Sequence, residues 1–432
     1  MDGTPSAGSA GYEWRRGWTL VLAATIGIAV VGIHYHVVGA LMRPLTESYG
    51  WTRAETAFAL TISSLLGPLA NVAVGMLADR LGPRPVVLFG TLLFGASYML
   101  FGLSGPALWT WYAAAAVYAI LGHGVSTVVW TMAVVRRFDA GRGLALAISM
   151  SGSGVLVSLT PTIVLALVEW VGVRGTFFVL GVAAAIVMFV PAYFFFKDED
   201  HGARPMTRAE RSVQQAALPG LAVKQALLGT RFWRLAVALF IVSSTVGMFI
   251  VHFQSMLIDS GLSAGEAASA ALMIGPMMIL GRIGTGICFD RLPAPLVSGV
   301  AFAIPLFGCL LMLGFDGTMT LALIGAAIIG LGMGAEVDVV AFMTSRYFGL
   351  KRYGVLFGIL IGLYGLGVAL GSAVAGAVHD RLASYDPILV ALGIGCGIAS
   401  LMVATLGRPN DLARAERRAA TGIAPAEQGA TA

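Results

Sequence analysis

The chain has 432 residues, 58% apolar and only 11% charged, with 56 glycines and a formal charge of +5. A soluble globular domain carries about a quarter charged residues, so the composition excludes a water-soluble enzyme or nucleic-acid-binding module. Apolar runs of the roughly 20 residues needed to cross a bilayer recur along nearly the whole chain, and no alternating barrel-type segments are present. The predicted fold is all-α and integral to the membrane, with twelve transmembrane helices.

A polar N-tail, 1–17, opens with Asp2 and ends in Arg15 and Arg16, which flank the first apolar run. That run is a full span with no small-residue cleavage site, so it reads as a retained helix and not a cleaved signal. Span 1 (near 18–42) carries "GIHYHVVGALMRP", with His34, Tyr35 and His36. Span 2 (54–78) runs into "GMLADRLGPR". Span 3 (85–104) is followed by span 4 (107–135), which contains "LGHG" and His123. Span 5 (143–168) shows small residues at i+4 spacing, Gly143, Ala147 and Ser151, a pattern that lets helices approach closely. Span 6 (175–196) completes the first half, so that 18–196 reads as one six-helix bundle.

A polar connector, 197–230, follows, predicted helical near 207–217. Residues 231–407 form the second bundle. Span 7 (231–258) holds His252 in "FIVHFQSML". Span 8 (264–289) contains "GPMMILGRIGTGICFDRL", with Arg282 inside an otherwise apolar helix. Span 9 (295–314) precedes span 10 (318–345), which carries Glu336 and Asp338. Span 11 (353–378) repeats glycine at 354, 358 and 362, and span 12 (385–407) leads into a C-tail, 408–432. Cys288, Cys309 and Cys396 lie in apolar helices without metal or disulfide spacing.

Of the 27 lysines and arginines, only Arg43, Arg53, Arg174 and Arg381 fall between spans on the side opposite the termini. Arg282 lies inside a span, and the rest flank the termini side. The positive-inside rule then places both termini in the cytoplasm. The basic charge is a topology signal, and no nucleic-acid partner is expected.

The two halves echo one another. "LGHGVSTVVWTMAVVRRF" (121–138) matches "LGMGAEVDVVAFMTSRYF" (331–348) at an offset of 210, and "GMLADRLG" (75–82) matches "GICFDRLP" (286–293) at 211. Two bundles related by duplication are the plan of secondary transporters, whose substrate sites lie between the halves near the midplane.

Gly75, Asp79, Arg80, Gly82 and Arg84 resemble the loop 2–3 signature of the major facilitator superfamily, with a degraded copy at Gly286, Asp290 and Arg291. Asp79 ends span 2, where its charge opposes the helix dipole, so it needs a donor elsewhere. The resemblance implies that donor is the start of span 11, near Arg352, with Asp290 facing span 5 near Arg142. These residues would latch the cytoplasmic side; two solvated loop acids are the plainer alternative. A finer resemblance, through "MRPLTESYGWTRAE", "RRFDAGRGLALAISMSGSG", "IVHFQSMLIDSGLSAGEAA", "GRIGTGICFDR" and "RYFGLKRYGVLFGIL", is to the bacterial monocarboxylate-transporter and oxalate:formate-antiporter branch.

Arg282, Glu336 and Asp338 are the charges deep inside spans. Each would cost about 2.5–3.5 kcal/mol on a lipid-facing helix centre, so all three must face the bundle interior or a wet cavity. Arg282 lies about 12 Å from the end of its helix, eight residues before Asp290, and the two acids lie at similar depth before Arg346. Being two apart, the acids point in different directions. Arg282 is then either half of a structural ion pair or a fork of donors for a carboxylate. The branch resemblance implies the second role, since an arginine at this place carries the substrate's charge.

The same resemblance makes His252 a substrate-side candidate, and puts His36 where mammalian relatives have a lysine. His123 is a further candidate. Histidines titrate near neutral pH, and Glu336 or Asp338 are candidates for carrying a coupling proton. The sequence departs from oxalate carriers in having no lysine in span 11. It departs from lactate carriers in having Met278 one turn before Arg282, which suggests a roomier apolar pocket. The expectation is proton-coupled uptake of a small monocarboxylate by alternating access in a bacterial inner membrane, without metal or organic cofactor and without a required oligomer. An anion exchanger or exporter of the same fold, and a ligand-binding membrane sensor, are the alternatives.

Overall fold

A computed structural model describes residues 9–196, 217–407 and 409. Within them the chain is helical, apart from an isolated backbone bridge between Gly220 and Gly349. The helices are α1 (Ala10–Val31), α2 (His34–Ala40), α3 (Met42–Tyr49), α4 (Arg53–Leu81), α5 (Pro83–Gly102), α6 (Leu108–Leu121), α7 (Thr127–Arg137), α8 (Arg142–Phe195), α9 (Val223–Leu228), α10 (Thr230–Asp259), α11 (Ala264–Ala271), α12 (Ile274–Arg291), α13 (Ala294–Leu313), α14 (Met319–Tyr347), α15 (Tyr353–Leu382) and α16 (Asp386–Ala404).

Among the described residues, eleven stretches are long and apolar enough to cross a bilayer. The twelfth span is inside α8. At 1.5 Å per residue its 54 residues would reach about 81 Å, more than twice the hydrocarbon core. Gly172, at φ 71° and ψ 174°, breaks it into spans 5 and 6. Only glycine adopts that conformation without strain. The sequence reading placed a loop at 169–174; the chain turns there on one residue. The helical stretch expected near 207–217 lies outside the described residues, except for Ala217.

Three spans change winding along their length: span 4 is broken by an extended Ser126, whereas at Gly32–Ile33 and Leu272–Met273 the backbone tightens but stays right-handed helical. Span 1 is α1 and α2, parted at Gly32 and Ile33. Span 4 is α6 and α7, joined by a 3₁₀ turn over Gly122–Val125. Span 8 is α11 and α12, parted at Leu272 and Met273. Interrupted helices inside a membrane leave backbone groups that must be satisfied by protein or by a wet cavity.

Spans 2 and 8 start with the same device. Thr52 accepts the N–H of Glu55 at 3.2 Å while Glu55 accepts that of Thr52 at 2.8 Å. Ser263 and Glu266 do the same at 3.3 and 2.9 Å. These reciprocal caps satisfy donors that a helix start leaves open. Positions 52 and 263 stand 211 apart, so the duplication extends to the capping.

The core of the first bundle is aromatic around Phe94, Tyr98, Phe101, Trp111, Tyr118 and Phe177, all buried. The bundles meet along two seams, span 2 with span 11 and span 5 with span 8. Both seams are built on glycine. A Cβ at Gly75 would collide with the Gly354 carbonyl, and one at Gly286 would stand 2.7 Å from the Gly143 carbonyl. The close approach of the helices therefore depends on absent side chains.

Candidate functional site

Each seam runs from the end that carries the termini toward the middle of the molecule and stops there. On one side Gly354, Gly358 and Gly362 pack in turn on Gly75, Asn71 and Pro68, and Gly365 then meets nothing described within 4 Å. On the other, Gly143 packs on Gly286 and Gly154 on Met278 and Ile279, and Gly275 meets nothing. Along both seams the contacts that glycine positions make between the bundles run from the terminal end to Pro68, Gly362, Gly154 and Met278 and end there, so we take these four residues as the floor of a gap between the bundles.

Arg282 lies one turn below Met278. Close backbone contact of span 8 with span 10, at Gly281 on the Leu331 carbonyl and Gly334 on that of Met278, carries its side chain to the acids. The guanidinium is buried, with 8% exposure. Its Nη1 reaches Asp338 Oδ1 at 3.5 Å, long against the 2.7–2.9 Å of a charge-assisted bond. Its Nε is buried without a protein partner, as are Asp338 Oδ2 and Glu336 Oε2. Glu336 Oε1 accepts from the Tyr364 hydroxyl at 2.9 Å. Asp338 is therefore the acid that faces Arg282, and Glu336 is tied to span 11. Two buried carboxylates and one cation share this cluster, and all three keep unused hydrogen-bonding capacity.

The histidines fall at the breaks in spans 1 and 4. His34 is buried, stacked on Tyr118 with ring centroids 3.9 Å apart, and its Nδ1 lies 3.2 Å from the Tyr98 hydroxyl. His36, two residues on, is half-buried. His123 sits in the 3₁₀ turn against Gly67 of span 2, its ring 6.3 Å from that of Tyr118. His252 is placed elsewhere: its Nε2 lies 3.0 Å from the Ser372 carbonyl and its Nδ1 3.1 Å from the Tyr385 hydroxyl. Ser372 is ten residues, or about 15 Å, beyond Gly362, so His252 sits well above the floor with both nitrogens engaged in its own bundle.

At the terminal end Asp79, buried, accepts the N–H groups of Gly354 and Val355 at 3.1 and 3.2 Å. Asp290 accepts those of Gly143 and Leu144 at 2.7 and 3.1 Å. Each carboxylate thus caps the first turn of a helix in the other bundle, where the backbone offers donors and a favourable dipole. Arg352 and Arg136 lie close enough to Asp79 to act on it electrostatically. Arg142 donates to the Phe138 carbonyl at 2.7 Å, to Asp139 at 3.1 Å and across to Ser345 at 3.3 Å. Arg346 reaches back to the Asp139 carboxylate at 2.8 Å. Arg80 and Arg291 are exposed, and Arg84 donates to the Tyr193 carbonyl at 3.2 Å, within its own bundle.

Sequence reasoning passed over Tyr364, Glu13, Asp139, Arg346, Asn71 and Ser126. The last two were within reach of the repeat. Asn71 stands 211 before Arg282 and Ser126 stands 210 before Glu336, and both are buried with a side-chain oxygen lacking a protein partner. The first bundle thus carries weaker polar counterparts of the second bundle's charges.

Two six-span bundles, mirrored inter-bundle caps and a buried polar cluster one turn below the end of the seams are the plan of a secondary transporter. The family model of the Major Facilitator Superfamily matches residues 24–372, and the chain belongs to that superfamily of transporters. Among curated proteins it is 23% identical, over 325 residues, to the uncharacterized MFS-type transporter YhjX of Escherichia coli strain K12, a match covering 74% of this chain and 77% of the relative. Among solved structures it superposes on the fucose:proton symporter FucP of E. coli with a TM-score of 0.69 at 12% identity, covering 90% of this chain and 98% of that one. The human organic anion transporter MFSD10 gives 0.69 at 16% identity over 89% and 99%. The proton:xylose symporter XylE gives 0.65 at 14% identity over 91% and 95%. At these identities the likeness establishes the fold.

Proposed function

We propose that this transporter carries a small organic monocarboxylate, coupled to a proton, by alternating access. The observation behind this reading is the buried guanidinium of Arg282, loosely paired at 3.5 Å and with an unpartnered Nε, one turn below the floor of the gap. A carboxylate matches that fork of donors in charge and geometry. Coupling follows from charge. One cation and two ionised acids sum to −1, and an incoming anion makes −2 in a poorly screened site. Coulomb repulsion at that range disfavours anion binding unless an acid takes up a proton. Glu336 and Asp338 are the acids placed to do so.

The floor residues Met278, Gly154, Pro68 and Gly362 are apolar and offer no second cation, which favours one carboxylate on an apolar body over a dicarboxylate. His36 and His123 stand on the first-bundle side, at the helix breaks. The distribution of lysine and arginine supports a cytoplasmic terminal end in a bacterial inner membrane. The arrangement described is then outward-facing, with Asp79 and Asp290 holding the inner side closed. Exchange or export of an organic anion is the second reading, favoured by the likeness in fold to the human organic anion transporter MFSD10.

The test is a thermal-shift screen of the purified protein with acetate, L-lactate, pyruvate, benzoate and oxalate, run beside Arg282→Gln. A ligand bound to the folded state raises its apparent stability by mass action. Stabilisation of the wild type by a monocarboxylate, lost in Arg282→Gln, supports the reading. An unstable variant together with a wild type indifferent to every acid overturns it in favour of a structural ion pair.

A further inference from the structure

Tyr364 occupies a position that neither seam nor site alone explains. It lies two residues beyond Gly362, where the packing of span 11 on span 2 ends, and next to Gly365, which has open space. Its hydroxyl donates to Glu336 Oε1 at 2.9 Å, joining span 11 to span 10. Span 11 is also the helix whose first turn Asp79 caps from the other bundle. One side chain therefore reaches the acid cluster from the helix that closes the terminal side, just past the last contact of that helix with span 2. The groups facing Glu336 are Arg282 from span 8, Asp338 on its own span, Tyr364 from span 11 and Cys396 from span 12, the last bonded to Thr245 of span 7 at 3.2 Å.

We propose that Tyr364 is a positioning and specificity residue that passes its hydrogen bond from Glu336 to the carboxylate of the substrate when Glu336 takes up a proton. The proposal rests on the carboxylate reading above and names the group that links the proton to the anion. A phenol has one O–H to donate. While Glu336 is ionised, that O–H is drawn to the carboxylate and is withheld from the gap. When a proton from water binds Glu336, the acid becomes neutral and gains a donor of its own. It then holds the Tyr364 oxygen as an acceptor, and the phenol proton, which never leaves Tyr364, turns to the incoming anion. Proton and anion thus bind together because the ionised Glu336 carboxylate and the substrate carboxylate compete for one donor, which protonation of Glu336 releases. Substrates with a carboxylate reaching both Arg282 and Tyr364 are selected over neutral isosteres, which would leave the site's polar groups unpaired.

The experiment uses the full-length protein in detergent and two probes, benzoate and L-lactate. Affinity is read by thermal-shift titration at mildly acidic and mildly alkaline pH for wild type, Tyr364→Phe, Glu336→Gln and the double variant. A hydrogen bond to a charged group is worth about tenfold or more in binding. The wild type binds more tightly in acid. Tyr364→Phe loses about tenfold in acid and keeps only the part of the pH dependence that comes from the charge on Glu336 and Asp338. Glu336→Gln stays closer to the acid-form affinity at alkaline pH than wild type does, and the double variant matches Tyr364→Phe in acid. A Tyr364→Phe protein with wild-type affinity and pH profile overturns the proposal. If neither probe stabilises the wild type, the carboxylate reading has failed by itself, and infrared spectroscopy decides the remainder. The acid-form carboxyl stretch that Glu336→Gln abolishes is shifted by Tyr364→Phe if the hydroxyl bonds Glu336, and an unshifted band rejects the link.

Discussion

Asp290 and Gly143 belong to opposite bundles, and the carboxylate of the first accepts the N–H of the second at 2.7 Å. Its mirror is Asp79 with Gly354 at 3.1 Å, and both members are displaced by 211 positions. In each case the aspartate closes a helix whose own dipole disfavours it and finds its donors at the start of a helix across the seam. The same glycine that donates also admits the neighbouring backbone. Closure of the terminal side is therefore built twice from one duplicated part.

Replacing either aspartate by asparagine removes the charge and one of two accepted bonds, a cost of about 1–2 kcal/mol to the closed seam. Asp79→Asn and Asp290→Asn are each expected to slow counterflow of a carboxylate probe in vesicles severalfold, with half-saturation unchanged. The pair combined should slow it further than either alone. Rates equal to wild type would show that the caps do not limit the cycle.

The glycine seams give a steric counterpart. A methyl at Gly75 would meet the Gly354 carbonyl, and one at Gly286 would meet both Ala147 and the Gly143 carbonyl, at 2.6 and 2.7 Å. Gly75→Ala and Gly286→Ala are expected to fold, because the clash lies between bundles and not within one. Each should cut transport at least tenfold while the purified protein stays monodisperse on gel filtration with little change in melting temperature. Transport near the wild-type rate would mean that the seam can relax without loss.

The spans were legible because a bilayer demands about 20 apolar residues wherever it is crossed, and that demand leaves few readings of this sequence. Arg282, Glu336 and Asp338 stood out for the converse reason, as charges where charge is costly. The helix breaks at Gly32 and at Gly122–Val125 were not legible, since glycine is so frequent here that no single one marks an interruption. Tyr364 was hidden because an aromatic in an apolar span is ordinary; only its hydroxyl's position against Glu336 distinguishes it. His252 was a candidate through the resemblance at its place in span 7, and its bonds to Tyr385 and Ser372 depend on how spans 11 and 12 pack on span 7, which no local pattern records.

Asp338 is the acid that faces Arg282, and under the carboxylate proposal it competes with the substrate for that guanidinium. Asp338→Asn leaves the guanidinium buried with less compensation, and breaking a buried pair costs up to about 3–5 kcal/mol. The variant is expected to melt several degrees lower than wild type. A carboxylate probe should then restore more stability to it than to the wild type, because the ligand now supplies the missing charge. Equal ligand shifts in both proteins would show that substrate and Asp338 do not share Arg282.

Glu13 governs the terminal face from outside the seams. Its carboxylate accepts the N–H groups of Asp139, Ala140 and Gly141 at 3.1, 3.1 and 3.0 Å, fixing the turn that presents Asp139 to Arg142 and Arg346. Three backbone bonds on one carboxylate exceed what a neutral amide can replace, so Glu13→Gln should loosen that turn by about 1–2 kcal/mol. Hydrogen exchange at 139–141 is the direct readout, and it should quicken by roughly tenfold. Because the turn also carries the Arg346 bridge between bundles, counterflow should change with it. Faster exchange with unaltered transport would confine Glu13 to local stability, and unaltered exchange would show that the carboxylate does not hold the turn at all.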